Sequence, residues 1–363
     1  MNGKLKIGFL LSIITERGGI GRVTSIISNE LNFNPNFDIH IISYAKKKQN
    51  SYDWNHELPY HYLLEDQIPM KKGIFNASKK LRKIITDNEI DILISCGAIV
   101  GPLGVLATLF KNTKLIYWSH SSFKGTSNKQ FRMFNEHFTA YFADCLISLT
   151  KTDELNYKKE TRAKNIVQIY NPIDKSLQQN NITYNTESKK IISVGRLTAQ
   201  KNFETLIDVA DIVLNKHHDF TWDIYGSGEE EEMLKNKIEE KKLIGRVNLM
   251  GQSSNLYKLY EDYAMMVMTS RYEGFPMSLI EGLACKLPLV SFDIPTGPNE
   301  IIQSEVNGYL IEAFDVNEMA EKISDLIANT NLRTQFSDSN LPLVNSFNLN
   351  FIMDKWIQTL NSI

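Results

Sequence analysis

The chain has 363 residues, 42% hydrophobic and 23% charged, with a formal net charge of −2 at pH 7. This composition excludes a disordered chain, and at roughly 150 residues per domain the length suggests two buried cores. Three scattered cysteines, Cys96, Cys145 and Cys285, have no C-x2-C spacing; they argue against a disulfide scaffold or zinc site and for a reducing compartment.

The small net charge hides an asymmetry, with +8 over residues 1–170 and −10 over the remainder. A basic first half implies that it meets something anionic. Nucleic acid fits weakly, because no basic stripe is interleaved with aromatics. An anionic membrane surface or a phosphate-bearing acceptor fits better.

In chain order, "MNGKLKIGFLLSIITERGG" begins like a signal peptide. Its apolar run then meets Glu16, Arg17 and two glycines without a small-residue cleavage site, so it reads as a first buried strand. Gly18 and Gly19 follow, ahead of a helix starting near Ile20. Glycines there let the backbone approach a ligand, and a helix N-terminus favours negative charge. The pattern is not G-x-G-x-x-G, and a plain tight turn is the other reading. Further strands are "DIHIISY", "DILISC", "KLIYWSH" and "CLISLT", with a helix over Gly21–Leu31. "KKGIFNASKKLRKII" is an amphipathic helix that leads into "DILISC", or one that touches a membrane. Ile92–Phe110 is uncharged and long enough to raise a membrane span. Ser95, Cys96, Gly97, Gly101, Pro102 and Gly104 interrupt it, so it reads as a strand, a turn and a core helix. Pro172 in "IYNPID" stops a strand, and the polar Lys175–Ser188 is the best linker candidate.

The second half repeats the plan with "KIISVGRL", "TWDIYG", "RVNLMG", "MMVMTS" and "LPLVSFD" as strands. Phe203–Leu214, Glu230–Lys241 and Glu318–Ala328 are helices. Apolar runs without alternation are the mark of parallel strands covered on both faces. The expected class is therefore α/β, doubly wound, occurring twice. In "SVGRLTAQKN", Arg196 and Lys201 bracket a turn at a strand's carboxyl end, where such sheets bind ligands. A forked guanidinium and a point-charge ammonium together suit a diphosphate. Gly226 and Gly228 in "YGSGEE" either sit under a nucleotide or simply connect strand to helix. In "RYEGFPMSLIEG", Glu273 stands at a strand tip, and a helix starting near Met277 carries Glu281. Amides of Met277, Ser278 and Leu279 are expected to be open, and a carboxylate suits the vicinal hydroxyls of a sugar.

With "IYNPID", "RGGIGRV" and "SFDIPTGPNEII", these motifs resemble glycosyltransferase family 4. The resemblance spans nearly the whole chain and is tightest over residues 190–315. It implies a retaining enzyme of GT-B fold, with two Rossmann-like domains facing a central cleft. Residues 1–170 would bind acceptor, 171–345 would bind nucleotide sugar, and a helix in 346–363 would pack back on the first domain. It implies that Arg196 and Lys201 hold the donor diphosphate, Glu273 the donor sugar and Glu281 the ribose. It further implies that Gly274, Phe275, Met277, Ser278 and Leu279 form the turn around sugar and phosphate. Gly18 and Gly19 would close over the diphosphate, and His120 would stand near the reacting carbon or merely shape its loop. "GGIGR" departs from the family's commoner glycine–glycine–alanine–glutamate and leaves the role of Arg22 open. The expected donor is UDP-linked, with no metal and no other cofactor. The expected acceptor is a glycan, lipid-linked, in bacterial capsule, O-antigen or other surface polysaccharide synthesis, and the expected location is the cytoplasm, at the inner face of the cytoplasmic membrane. A sugar-nucleotide epimerase and a non-catalytic nucleotide-sugar module are the rival readings.

Overall fold

The computed structural model describes residues 3–14, 18–46, 54–125, 129–178, 182–253 and 256–363. Glu16, Arg17 and part of the linker lie outside the described residues. The chain divides into two compact units, residues 1–172 with 350–363 and residues 173–349.

Unit 1 holds a seven-stranded sheet: β1 (Leu5–Leu11), β2 (Phe37–Ala45), β3 (Tyr60–Leu64), β4 (Ile92–Cys96), β5 (Lys114–Trp118), β6 (Cys145–Ser148) and β7 (Ile166–Gln168). The spatial order is β3-β2-β1-β4-β5-β6-β7, and every pairing is parallel. Its helices are α1 (Gly19–Asn32), α2 (Met70–Asp87), α3 (Gly101–Thr108), α4 (Lys129–Phe142) and α5 (Lys151–Glu160). Alternate side chains of a strand face opposite sides of the sheet, and β1 shows this. Leu10 enters a core with Ala77 and Leu81 of α2, Leu103 of α3 and Ala140 of α4. Phe9 instead lies 6.4 Å from Trp356 of the last helix of the chain, and that indole meets Trp118 edge-on at 4.7 Å.

Unit 2 holds β8 (Lys190–Val194), β9 (Thr221–Tyr225), β10 (Val247–Gly251), β11 (Met265–Met268), β12 (Leu289–Asp293) and β13 (Gly308–Glu312). Their order is β10-β9-β8-β11-β12-β13, again parallel. The helices are α6 (Lys175–Gln178), α7 (Phe203–Lys216), α8 (Glu231–Glu240), α9 (Leu256–Leu259), α10 (Met277–Ala284), α11 (Val316–Ala328) and α12 (Thr330–Val344). The last helix, α13 (Leu349–Asn361), lies almost wholly within unit 1. In unit 2, Met265, Val267, Val290 and Phe292 pack under Leu206, Val209 and Val213 of α7.

Both sheets reverse their winding once, between β1 and β4 in unit 1 and between β8 and β11 in unit 2. At such a reversal the flanking helices depart to opposite faces and leave a crevice beyond the strand ends. Gly18, Gly19 and the turn after Cys96 therefore share one strand-tip region. The Gly195–Asn202 loop and the Ser270–Pro276 turn share the other. Among the described residues no helix is long and apolar enough to cross a membrane. The uncharged stretch from Ile92 is β4, a turn and α3.

Candidate active site

The turn after β8 is shaped by backbone packing. The Gly195 amide donates to the Tyr225 carbonyl at 2.9 Å, and the Leu197 amide to the Ser227 carbonyl at 3.0 Å. A Cβ on Gly226 would lie 1.8 Å from the Gly195 carbonyl oxygen, and one on Gly228 would lie 2.2 Å from that of Leu197. These glycines are spacers that press the β9 loop against the β8 loop, which is their connecting role. A Cβ on Gly195 would meet the Lys201 stem at 3.0–3.1 Å. The missing side chain lets Lys201 fold back over the turn.

Asn202 next holds a left-handed backbone, φ 56° and ψ 42°, a conformation that asparagine tolerates better than most residues. Its side chain ties the β8 loop to the tip of β11. Nδ2 donates to the Thr269 carbonyl at 3.2 Å, and Oδ1 accepts from Arg271 Nη2 at 2.8 Å. Gln200 adds two links, accepting from the Arg271 amide at 2.8 Å and donating to the Tyr272 carbonyl at 2.9 Å.

That strapping carries Lys201 onto Glu273. Nζ lies 2.5 Å from Oε1, and both side chains are largely buried. Gln200 Nε2 reaches the other carboxylate oxygen at 3.5 Å. The "IPTGPNE" turn closes the far side. Thr296 donates to the Glu273 carbonyl at 2.6 Å, and Gly297, at φ 103°, sits so close that a Cβ would lie 2.6 Å from Pro276 Cδ. Ser270 Oγ at the β11 tip is buried with no hydrogen-bond partner among the described residues. The Arg196 side chain is exposed and makes no hydrogen bond or ion pair among the described residues.

Helix α10 begins after Pro276. The amides of Met277 and Ser278 donate to no group among the described residues, whereas the Leu279 amide donates to the Pro276 carbonyl at 3.1 Å. The expectation of three open amides is thus corrected to two, because a tight first turn uses the third. Gly274 and Phe275 form the turn itself, and the Phe275 ring packs 5.5 Å from Phe347. Glu281 is buried inside the helix, where its Oε2 accepts from the Tyr260 hydroxyl at 2.8 Å.

In unit 1, Gly18 precedes α1 with an extended backbone, φ 176°. Among the described residues, chain neighbours aside, no heavy atom lies within 4 Å of a Cβ built on Gly18 or Gly19. His120 follows β5 with its ring centroid 4.2 Å from Trp118. Its Nε2 is buried with no hydrogen-bond partner among the described residues, so that nitrogen does not shape the loop. Burial holds the imidazole well below its usual value, at about 3. A separate network braces the loop after His120. Buried Glu136 accepts from the hydroxyls of Tyr117 and Tyr157, each at 2.5 Å, and Arg132, beside it, donates to the Ser122 and Gly125 carbonyls.

Gly18, Gly19 and His120 therefore belong to unit 1, and Arg196, Lys201, Glu273, Gly274–Leu279 and Glu281 to unit 2. Among the described residues no three His, Cys, Asp or Glu side chains are placed to hold a metal ion. The cysteines are free and buried, and desolvation pushes the Cys96 and Cys145 thiols up to about 12.

Residues 174–340 match the family described as "Glycosyl transferases group 1", and residues 17–177 match "Glycosyltransferase Family 4". An uncharacterized glycosyltransferase of Haemophilus influenzae is 30% identical over 359 residues, 97% of this chain and 98% of that one. The chain belongs to glycosyltransferase family 4. This family 4 glycosyltransferase is also 30% identical, over 309 residues, to the poly(ribitol-phosphate) α-N-acetylglucosaminyltransferase of Staphylococcus aureus; the match takes in 83% of the chain and 61% of that protein. Anabaena HepE, solved with UDP and glucose, matches with a TM-score of 0.84 at 19% identity, covering 99% of this chain and 100% of that one. That likeness is one of fold, and the fold is GT-B.

Four further residues of the glycosyltransferase site are not singled out by the sequence pattern. Gln200, Asn202, Tyr260 and Thr296 act through contacts with residues 21 to 73 positions away. Only Asn202 carried a local hint, since Asn just before an apolar helical run is a common cap or turn residue.

Proposed function

We propose that this glycosyltransferase moves a hexose or N-acetylhexosamine from a UDP-sugar, with retention, to a lipid-linked glycan acceptor in surface polysaccharide synthesis. The observation that carries this reading is the Lys201–Glu273 pair at the reversal point of unit 2, beside exposed Arg196 and the open amides of Met277 and Ser278. Cations and helix-end amides gathered at one strand tip suit a diphosphate.

As the bond between the sugar's anomeric carbon and the phosphate oxygen breaks, the electron pair goes to the diphosphate. Arg196, Lys201 and the two amides stabilise that charge without reorganising, in the role that a metal takes elsewhere. The acceptor hydroxyl attacks from the leaving-group side and gives its proton to the departing phosphate. A double-displacement route needs a free carboxylate nucleophile. Glu273 is committed to Lys201 and Glu281 to Tyr260, which favours the front-face route. Glu273 turns its second oxygen to the donor sugar, and Glu281 serves the ribose. His120, neutral and with an unsatisfied Nε2, receives a sugar hydroxyl; Gly18 and Gly19 admit the diphosphate closely.

UDP is chosen because HepE was solved with it, and a polymeric acceptor because the staphylococcal relative is named for poly(ribitol-phosphate). Isothermal titration calorimetry tests the donor site. UDP should bind the native chain and lose at least about tenfold in affinity in Lys201→Ala, the worth of one charge-assisted contact. No heat with UDP or any other nucleoside diphosphate would remove the reading. Product NMR reports the anomer, and an inverted product would remove the front-face route.

A further inference from the structure

Glu136 of α4 is fully buried, yet no step of the donor chemistry uses it. Taking a carboxylate out of water is costly, and well-packed apolar side chains of similar volume often serve stability as well or better. This one is held by donors from three elements, Tyr117 of β5, Tyr157 of α5 and Arg132 of α4 itself. Its two oxygens lead to opposite flanks of His120 along the chain.

Oε2 governs the flank before His120. Burial, reinforced by the carboxylate, holds the Tyr117 and Tyr157 phenols well above their usual 10, so both keep their protons. Tyr157 Oη lies 2.5 Å from Glu136 Oε2 and 2.8 Å from Ser119 Oγ, and a phenol has one proton to give. The carboxylate can only accept, so it takes that proton and Ser119 donates its own to Tyr157. Oε1 governs the flank after His120. It stands 3.4 Å from Arg132 Nε, and the two terminal nitrogens of that guanidinium donate to the Ser122 and Gly125 carbonyls. Fixing one edge of the planar fork fixes where the other edge points. Between these carbonyls the Phe123 amide donates to Asp153 Oδ1 at 3.1 Å, and the Phe123 ring lies 4.6 Å from Tyr157. His120 itself leans on Trp118, and its Nε2 has no hydrogen-bond partner among the described residues. That nitrogen supplies no anchor, so the place of the ring depends on the chain to either side.

We propose that Glu136 is a positioning residue for His120, one carboxylate oxygen fixing the chain before the imidazole and the other the chain after it, so that the ring is held where the transferred sugar needs it. The inference rests on the reading of His120 as the residue that receives a sugar hydroxyl. A purely structural carboxylate, tying α4 to β5 and α5, would need no arm to Ser119, Ser122 or Gly125. Glu136 has both arms, and they end on either side of one residue.

Two variants of the full chain cut one arm each. Tyr157→Phe removes the hydroxyl between Glu136 and Ser119 and keeps the ring. Glu136→Gln keeps the volume; with its carbonyl oxygen toward the tyrosines, its amide NH2 faces Arg132 and releases the fork. UDP release from UDP-glucose and UDP-N-acetylglucosamine, with water as the acceptor, should fall at least about tenfold in each, since a misplacement of about 1 Å can cost a hundredfold. The fall should lie in kcat, with UDP affinity by calorimetry unchanged, because the donor residues belong to unit 2. In a His120→Ala background neither variant should cost anything further, whereas a structural role would cost the same in both backgrounds. Crystal structures of the two variants should show the His120 ring displaced from Trp118 while the strands of unit 1 stay in place. Native turnover in both variants, an equal fall with and without His120, or a ring unmoved in both structures would overturn the proposal. Absence of UDP binding in the native chain would sink the donor reading instead, and the crystal structures alone would then decide this one.

Discussion

Lys201 Nζ stands 2.5 Å from Glu273 Oε1, across 72 positions of sequence, with both side chains largely buried. Removing one partner of such a pair leaves an uncompensated charge, which costs more than the pair itself contributes. Lys201→Ala should therefore lower stability as well as UDP affinity, and Glu273→Gln should partly restore stability when added to it. Denaturant melts of the two single variants and the double variant should give a coupling of about 0.5–3 kcal/mol. Activity should stay low in all three, because the cation and the carboxylate are each needed for the donor. A recovered turnover in the double variant would mean that the pair is structural only.

Asn202 offers a way to loosen Lys201 without touching it. Its left-handed backbone and its bonds to Thr269 and Arg271 fix where the preceding residue points. Asn202→Gly keeps the backbone and loses the bonds, while Asn202→Ala loses the bonds and strains the backbone. The alanine variant should be less stable than the glycine variant by about 1 kcal/mol. Both should bind UDP more weakly than the native chain, as calorimetry will show. Equal melting temperatures for the two variants would contradict the conformational argument.

The parts of the fold visible in the sequence are those whose strands are buried on both faces. "KIGFLL", "DILISC" and "MMVMTS" are apolar throughout because helices cover both sides, and they became β1, β4 and β11. β3 (Tyr60–Leu64), β7 (Ile166–Gln168) and β13 (Gly308–Glu312) gave no such signal. Each is an edge strand, and an edge tolerates polar residues and short length because it has one neighbour. The site divides in the same way. Glu273, Glu281 and the α10 start sit within one short stretch, so their pattern was local. The strap made by Asn202 exists only after β8 and β11 pair, and the bond from Tyr260 to Glu281 only after α10 packs against β11; no spacing announces either.

Two histidines on neighbouring strands give a pH dependence whose sign is fixed. His40 Nδ1 and His61 Nε2 are 3.1 Å apart, so one ring must donate and the other accept. Burial lowers the pKa of both from the usual 6.5, partly opposed at His40 by Asp38 and reinforced by Lys6. A histidine lowered in the folded state binds its proton more readily when unfolded, so stability rises with pH across that window. The contribution is present above pH 6.5 and is lost as pH falls toward the folded values. His120, held at about 3 by burial, adds a slope of the same sign. His61→Gln should flatten the melting temperature between neutral and mildly acidic pH, since glutamine can donate to His40 without charging. An unchanged slope would remove the pair from the account.

Glycines of the two units can be told apart by one substitution each. A Cβ at Gly226 would sit 1.8 Å from the Gly195 carbonyl oxygen, on a backbone at φ 149°. Gly226→Ala must therefore move the loop that holds Lys201, at a cost of about 2–5 kcal/mol. Gly18 has an extended backbone, and among the described residues, chain neighbours aside, a Cβ there meets nothing within 4 Å. Gly18→Ala should change stability by no more than about 0.5 kcal/mol. If Gly18 admits a diphosphate, the added methyl group meets the ligand, so turnover should fall at least about tenfold with the melting temperature unchanged. Native turnover in Gly18→Ala would leave that glycine as a plain turn.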